Sequence, residues 1–129
     1  MSTSKISILV VEDDKFISAA YKTKFESVGF IGKYAFHGEE ALEILKKFTP
    51  DIIILDIVMP IKNGFEVLKE IKKNKKLANI PVIVATNLGQ EQYIVKAKEM
   101  GATDYILKSE LSLSDLVKKI KIRLELVDE

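Results

Sequence analysis

Four short apolar runs in this sequence each lead into a residue that phosphoryl chemistry needs. Ile8-Leu9-Val10-Val11 leads into Glu12-Asp13-Asp14, and Ile52-Ile53-Ile54-Leu55 into Asp56. Val82-Ile83-Val84-Ala85 leads into Thr86, and Tyr105-Ile106-Leu107 into Lys108. In an open parallel sheet, ligands bind outside the carboxyl ends of the strands. If these runs are strands of such a sheet, acids, a hydroxyl and an ammonium meet at one edge. That combination suits a divalent cation and a phosphoryl group.

Asp56 is the candidate nucleophile, because a carboxylate can attack phosphorus and form an acyl phosphate. Taken alone, an aspartate after a strand is often just a turn residue or a helix cap. Of the three acids after the first run, Asp14 is the natural helix N-cap, favoured there by the helix dipole. The others would crowd against Asp56, and like charges so placed are costly unless a cation sits between them. Mg²⁺ takes oxygen ligands in an octahedron, with only one or two carboxylates and several waters. Asp13 and Asp56 are the expected direct ligands. Glu12 would bind directly or through water, and the backbone carbonyl of Val58 would complete the protein's share. Mn²⁺ would be able to take the place of Mg²⁺. Lys108 offsets phosphoryl charge and Thr86 offers a hydroxyl, so that positioning and charge stabilisation carry the chemistry. His37, the single histidine, reads as a helix-entry turn, and Met59 as packing.

The elements that must position these groups alternate along the chain. Strands are expected at about Ile6–Val11, Phe30–Phe36, Asp51–Leu55, Pro81–Ala85 and Asp104–Leu107. Three are nearly continuous Ile, Val and Leu, the pattern of strands buried on both faces. Helices are expected at about Lys15–Val28, Gly38–Phe48, Gly64–Lys73, Gln90–Met100 and Leu113–Leu126. Ile17, Ala20, Tyr21, Phe25 and Val28 form one helical stripe. Leu113, Leu116, Val117, Ile120, Leu124 and Val127 form another. Gly29 and Gly101 stand where a helix ends in a left-handed residue. Asn63 is a candidate N-cap, and Ser112 with Asp115 a candidate capping box. Five βα units without linker or repeat imply an α/β fold, a parallel sheet with helices on both faces.

The 129 residues suit one domain, 1–129, with no output domain in the chain. A net charge of +1, from 20 basic and 19 acidic side chains, gives no electrostatic case for nucleic acid or an anionic membrane. Arg123 is the only arginine, which removes most bidentate phosphate or base recognition. The chain has no cysteine, which excludes disulfides and thiolate metal sites and is compatible with a cytoplasmic location. No apolar stretch approaches the roughly 20 residues of a membrane span.

Over essentially its whole length the sequence resembles the receiver domain of bacterial two-component response regulators. The matching pieces are Leu9-Val10-Val11-Glu12-Asp13-Asp14, Ala35 to Leu42, Pro50 to Pro60 with Asn63-Gly64, Ile80 to Thr86, and Gly101 to Lys108. The resemblance implies a flavodoxin-like (βα)5 fold with strand order 2-1-3-4-5, the order for which a member of this family is a general example. It implies Asp56 as phosphoacceptor, Glu12 and Asp13 as the acidic pair for Mg²⁺, and Thr86 with Lys108 as the phosphate-sensing pair. Tyr105 matches the aromatic that rotates inward when the threonine moves to the phosphate. The expected function is a phosphorylation-activated signalling switch. Its partners would be a histidine kinase or phosphotransfer domain, an effector, or a second copy, with no direct nucleic-acid contact and no membrane insertion. The fourth helix, fifth strand and fifth helix would form the signalling face, with Tyr93, Ile94, Ile122 and Leu126 as candidate contacts.

Two positions depart from the family pattern. Ser109 stands where proline usually follows the lysine, often through a cis bond. A cis bond without proline costs about 2.5–4 kcal/mol, so a trans Lys108–Ser109 bond and a rearranged loop are expected. Asn87 stands where a small residue is usual, at the rim of the site. Val58 and Leu88 flank the site where polar residues are common. Their apolar side chains would hinder an attacking water and prolong the phosphorylated state.

Three other functions compete. An aspartyl-phosphate phosphohydrolase would usually carry a second acid two residues past the nucleophile, where this chain has Val58. A flavin-mononucleotide protein would need a Ser/Thr/Gly-rich loop after the first strand, where Glu12-Asp13-Asp14 would repel phosphate. A receiver-fold module that signals by binding alone is the third.

Overall fold

Uninterrupted Ile, Val and Leu can be satisfied only where a strand is covered on both faces. The computed structural model, which describes residues 5–124, places them so. The elements are β1 (Ser7–Val11), α1 (Lys15–Ser27), β2 (Ile31–Ala35), α2 (Gly38–Leu45) and β3 (Ile52–Leu55). They continue with α3 (Gly64–Lys73), β4 (Val82–Thr86), α4 (Glu91–Glu99), β5 (Asp104–Leu107) and α5 (Leu113–Arg123). All strand pairs are parallel, in the order β2-β1-β3-β4-β5. This is the flavodoxin-like arrangement.

Alternation along the strands divides the core into two layers. Ile8, Val10, Ile54 and Ile83 face α1 and α5, where they meet Tyr21, Phe25, Leu116 and Ile120. Leu9, Val11, Ile53 and Leu55 face α2 and α3, where they meet Ala41, Leu45, Val67 and Ile71. With both faces covered, the open places left along the sheet are its edges and ends. All five strands run the same way, so the groups that follow them gather at one end.

Local chemistry sets the helix starts. Asp14 Oδ1 accepts the N–H groups of Phe16 and Ile17. Asn63 and Glu66 close a full capping box at α3. Ser112 Oγ accepts the N–H of Asp115 at α5. His37 Nδ1 accepts the N–H of Glu40, which makes it the N-cap of α2 as its helix-entry position suggested. Gly29 and Gly101 have φ of 86° and 104°, values that L side chains rarely adopt.

Some expectations need correction. The stripe on α1 is rotated. Ser18, Tyr21 and Phe25 are buried, while Ala20 and Val28 are exposed. A serine small enough to lie against the sheet takes the place that hydrophobicity assigned to alanine. α2 ends at Leu45 rather than Phe48, in turns that precede Pro50. α5 is described to Arg123, with Leu124 as its C-cap. Leu126 and Val127 lie outside the described residues.

Candidate functional site

β1, β3 and β5 end side by side with β4 between the last two, which brings the acids and the lysine together. Glu12, Asp13 and Asp56 each offer a carboxylate oxygen within 4.8 Å of the others. Glu12 and Asp56 are buried, and Asp13 is exposed. Lys108 follows β5 and reaches back over the sheet edge. Its Nζ lies 2.8 Å from Asp56 Oδ2 and 2.5 Å from Glu12 Oε1. Direct pairing of Lys108 with Glu12 as well as Asp56 had no signature in the sequence.

Two backbone amides orient the Asp56 carboxylate. Oδ1 accepts the N–H of Ile57 at 2.7 Å and of Val58 at 3.3 Å. Oδ2 is left to Lys108. Glu12 Oε2 accepts the N–H of Asp14 at 3.1 Å, while Oε1 has the ammonium as an ion-pair partner at an angle outside good hydrogen-bond geometry. Burial pushes the Glu12 carboxyl above its ordinary value, and the Asp56 charge adds to this, while Lys108 and the Asp14 amide pull it down. Burial alone would lower the Lys108 ammonium, but its pairing with Asp56 and Glu12 outweighs this and raises it.

Thr86 closes β4 fully buried, and its Oγ1 accepts the N–H of Leu88 at 3.4 Å. Tyr105, half-buried on β5, donates its hydroxyl to the Leu88 carbonyl at 2.6 Å. Burial pushes its phenol upward, and the Asp56 charge adds to that. Thr86 and Tyr105 thus both engage Leu88. Asn87 is exposed beside it, and Val58, in the loop after β3, is 58% exposed. Met59 is buried in the layer beneath α2 and α3.

The described peptide bonds include no cis bond. Lys108–Ser109–Glu110 forms a 3-10 turn, which leads through Leu111 to α5. Of the expected signalling-face residues, Ile122 is 74% exposed, and Tyr93 and Ile94 are partly buried.

Sequence reasoning used Gly64 only as a helix start, but it is also part of the site. Its N–H bonds the Ile57 carbonyl at 2.8 Å, and a Cβ on it would lie 2.2 Å from the Asp56 carbonyl oxygen. The Asn63-Gly64 pair was the available signal. The loop between Asp56 and Gly64 also holds Ile61 at φ 69°, with the N–H of Lys62 bonded to the Pro60 carbonyl at 2.7 Å. Nothing in the sequence marked that conformation.

The donors suit a hard cation. All three are carboxylates, with neither sulfur nor imidazole among them. Three carboxylates against one ammonium leave two negative charges, which one divalent ion neutralises. The exposed Asp13 leaves the cluster open to solvent for retained waters.

Residues 8–121 match the response regulator receiver domain family. The chain is 39% identical over 101 residues to a chemotaxis protein CheY of Halobacterium salinarum, covering 78% of this chain and 82% of that protein. It is 35% identical over 105 residues to a probable transcriptional regulator, ycf27, of Guillardia theta, covering 81% of this chain but 40% of that protein. The chain therefore spans well under two thirds of the length of that regulator. The receiver domain of the Francisella response regulator 1452 superposes with a TM-score of 0.85 at 32% identity, over 94% of this chain and 98% of that one. A CheY-like receiver domain protein from Methanospirillum hungatei JF-1 gives a TM-score of 0.87 at 28% identity, over 95% of each chain. Fold, acidic cluster and sequence agree: the chain belongs to the response regulator receiver domain family.

Proposed function

We propose that this chain is a phosphorylation-activated switch in which Asp56 accepts a phosphoryl group from a histidine kinase or phosphotransfer protein. The observation that carries this reading is the meeting of Glu12, Asp13, Asp56 and Lys108 at one sheet edge. An Asp56 oxygen forms a bond to phosphorus as the donor's bond to phosphorus breaks, and the leaving group departs on the far side. The Ile57 and Val58 amides hold the carboxylate in place for that approach. Lys108 passes from the carboxylate to a phosphoryl oxygen, and Thr86 donates its hydroxyl to another. Glu12, Asp13, Asp56 and the Val58 carbonyl would hold Mg²⁺. The ion supplies neutralisation of the charge that gathers on the phosphoryl oxygens.

The product keeps a group of roughly −1.5 to −2 charge at the mouth of the site. Thr86 and Tyr105 both touch Leu88, so a displaced Thr86 hydroxyl alters the loop before α4. The α4–β5–α5 face would then shift between two arrangements and engage an effector or a second copy.

The test is intact-mass analysis after incubation with acetyl phosphate and Mg²⁺. The wild type should gain the mass of one phosphoryl group, and Asp56→Asn should gain none. An unmodified wild type, with donor and metal in excess, would overturn the reading.

A further inference from the structure

α4 is the least anchored α-helix among the described residues. It buries one residue, Ala97, whereas α1, α2 and α5 each bury three and α3 buries five. The other four α-helices open with a side chain that accepts a backbone N–H, from Asp14, His37, Asn63 and Ser112. Gln90, at the start of α4, makes no such bond. A helix with few buried groups and no side-chain cap belongs to the part of a fold that opens or shifts first.

A separate apolar cluster holds α4 in place. Ile57, Phe65, Val84 and Ala97 are its buried members, with Leu88, Tyr93 and Tyr105 packed against them. Tyr93 and Lys96 are three residues apart and so share a face of α4. Both engage Phe65 of α3. The Tyr93 and Phe65 rings stack with centroids 6.3 Å apart and planes at 23°. Lys96 Nζ stands 4.3 Å from the Phe65 ring centre, within reach of a cation–π contact.

This cluster leads to the acceptor in few steps. The Ile57 N–H bonds Asp56 Oδ1 at 2.7 Å. The Ile57 carbonyl takes the N–H of Gly64, the residue before Phe65. Leu88, in the same cluster, is tied to Thr86 and to Tyr105. Phe65 and Leu88 thus link Asp56 and Thr86 to the cluster on which α4 rests.

We infer that Tyr93 and Lys96 clamp α4 to Phe65 in the unphosphorylated arrangement, as positioning residues that oppose modification of Asp56. This rests on the reading of Asp56 as phosphoacceptor. Coupling between two sites is reciprocal. Whatever the clamp contributes to the unphosphorylated arrangement alone is subtracted from the affinity of the site for a phosphoryl group. Releasing the clamp must then tighten binding of a phosphoryl mimic, although no altered residue touches the mimic.

The probe is beryllofluoride with Mg²⁺, titrated into the full chain and followed by fluorine NMR, together with hydrogen exchange of the α4 amides. Tyr93→Leu and Lys96→Gln should each bind the probe about fivefold more tightly than the wild type. Tyr93→Phe keeps the stack and should match the wild type. Without the probe, Tyr93→Leu should speed exchange across Glu91–Glu99 and leave α5 unchanged. Lys96 is exposed, so its variant should fold even if the tyrosine variant does not. Unchanged or weaker binding in both variants, with normal binding in the wild type, would overturn the clamp and leave the phosphoacceptor reading standing. A wild type that binds no probe would overturn both.

Discussion

The Cα of Gly64 lies so close to the Asp56 carbonyl that a Cβ would stand 2.2 Å from its oxygen and 2.7 Å from the Ile57 Cα. The start of α3 and the backbone of Asp56 are thus positioned by one contact. In an ordinary helix, alanine for glycine stabilises by about 1 kcal/mol. Here the methyl group meets backbone, which cannot swing aside as a side chain would. Gly64→Ala is expected to cost about 1–3 kcal/mol instead, and to slow phosphorylation from acetyl phosphate. Urea unfolding and intact-mass time courses measure the two effects. A stabilised variant with a normal rate would mean that the contact is not constraining.

Lys108 holds two buried carboxylates at once, on Asp56 and Glu12. Lys108→Met leaves both without a cation. Breaking a buried pair by removing one partner typically costs about 3–5 kcal/mol, so a large fall in thermal stability is expected in metal-free buffer. Mg²⁺ should restore part of that loss, because it supplies positive charge to the same oxygens. Thermal unfolding with and without MgCl2 checks both statements. An equal loss in the two buffers would contradict a metal site at these carboxylates.

The pH response follows from two shifts with defined signs. The Glu12 carboxyl titrates above its ordinary 4.5, chiefly through burial. The folded state therefore keeps its proton longer than the unfolded state. Stability should fall as pH rises from about 4.5 through the folded value. Lys108 titrates above its ordinary 10.5, where its pairing with Asp56 and Glu12 outweighs burial. Its contribution is complete below about 10.5 and is lost as pH rises through the folded value. The difference in melting temperature between wild type and Glu12→Gln isolates the acidic step, which Mg²⁺ should shrink by favouring the ionised form. A difference that does not vary with pH above 4.5 would remove Glu12 from this account.

The sheet was legible because burial on both faces leaves its mark on every residue of a strand. Ile52-Ile53-Ile54-Leu55 allows hardly any other reading. The meeting of Asp56 with Glu12, Asp13 and Lys108 was legible because parallel strands place all their ends together. Single contacts were harder to read. Ser18 for Ala20 on the buried face of α1 is decided by how closely a helix approaches the sheet, which hydrophobic spacing does not encode. The double pairing of Lys108 depends on the reach of a long side chain across two strands. The hold of Phe65 on α4 joins residues that are 28 and 31 positions apart, Tyr93 and Lys96, with no periodic pattern between them.

Ile61 occupies a left-handed conformation, φ 69°, at the centre of a tight turn, and its side chain is 87% exposed. A β-branched residue is strained there, and the left-handed region costs an L-residue roughly 1–2 kcal/mol. Exposure means that little packing offsets the strain. Asparagine tolerates the conformation. Ile61→Asn should therefore stabilise the fold by about 0.5–1 kcal/mol, seen as a raised urea midpoint with an unchanged slope. A destabilised variant would show that the isoleucine makes contacts worth more than the strain.

Val58, two residues past Asp56, is 58% exposed, and Leu88, two residues past Thr86, is partly buried. Hydrolysis of an acyl phosphate needs a water aligned opposite the bond that breaks. A polar side chain at the rim can hold that water by a hydrogen bond, and neither of these side chains can. Nor can either serve as a general base. The phosphorylated state should therefore outlast the seconds of an efficiently hydrolysed one. Val58→Asn, which adds a hydrogen-bonding group on the exposed side of the mouth, should speed decay by about tenfold, equivalent to about 1.4 kcal/mol in the barrier. Intact-mass decay after removal of the phosphodonor measures both rates. Loss of the wild-type phosphoryl group within seconds would show that water reaches phosphorus by a path these two residues do not guard.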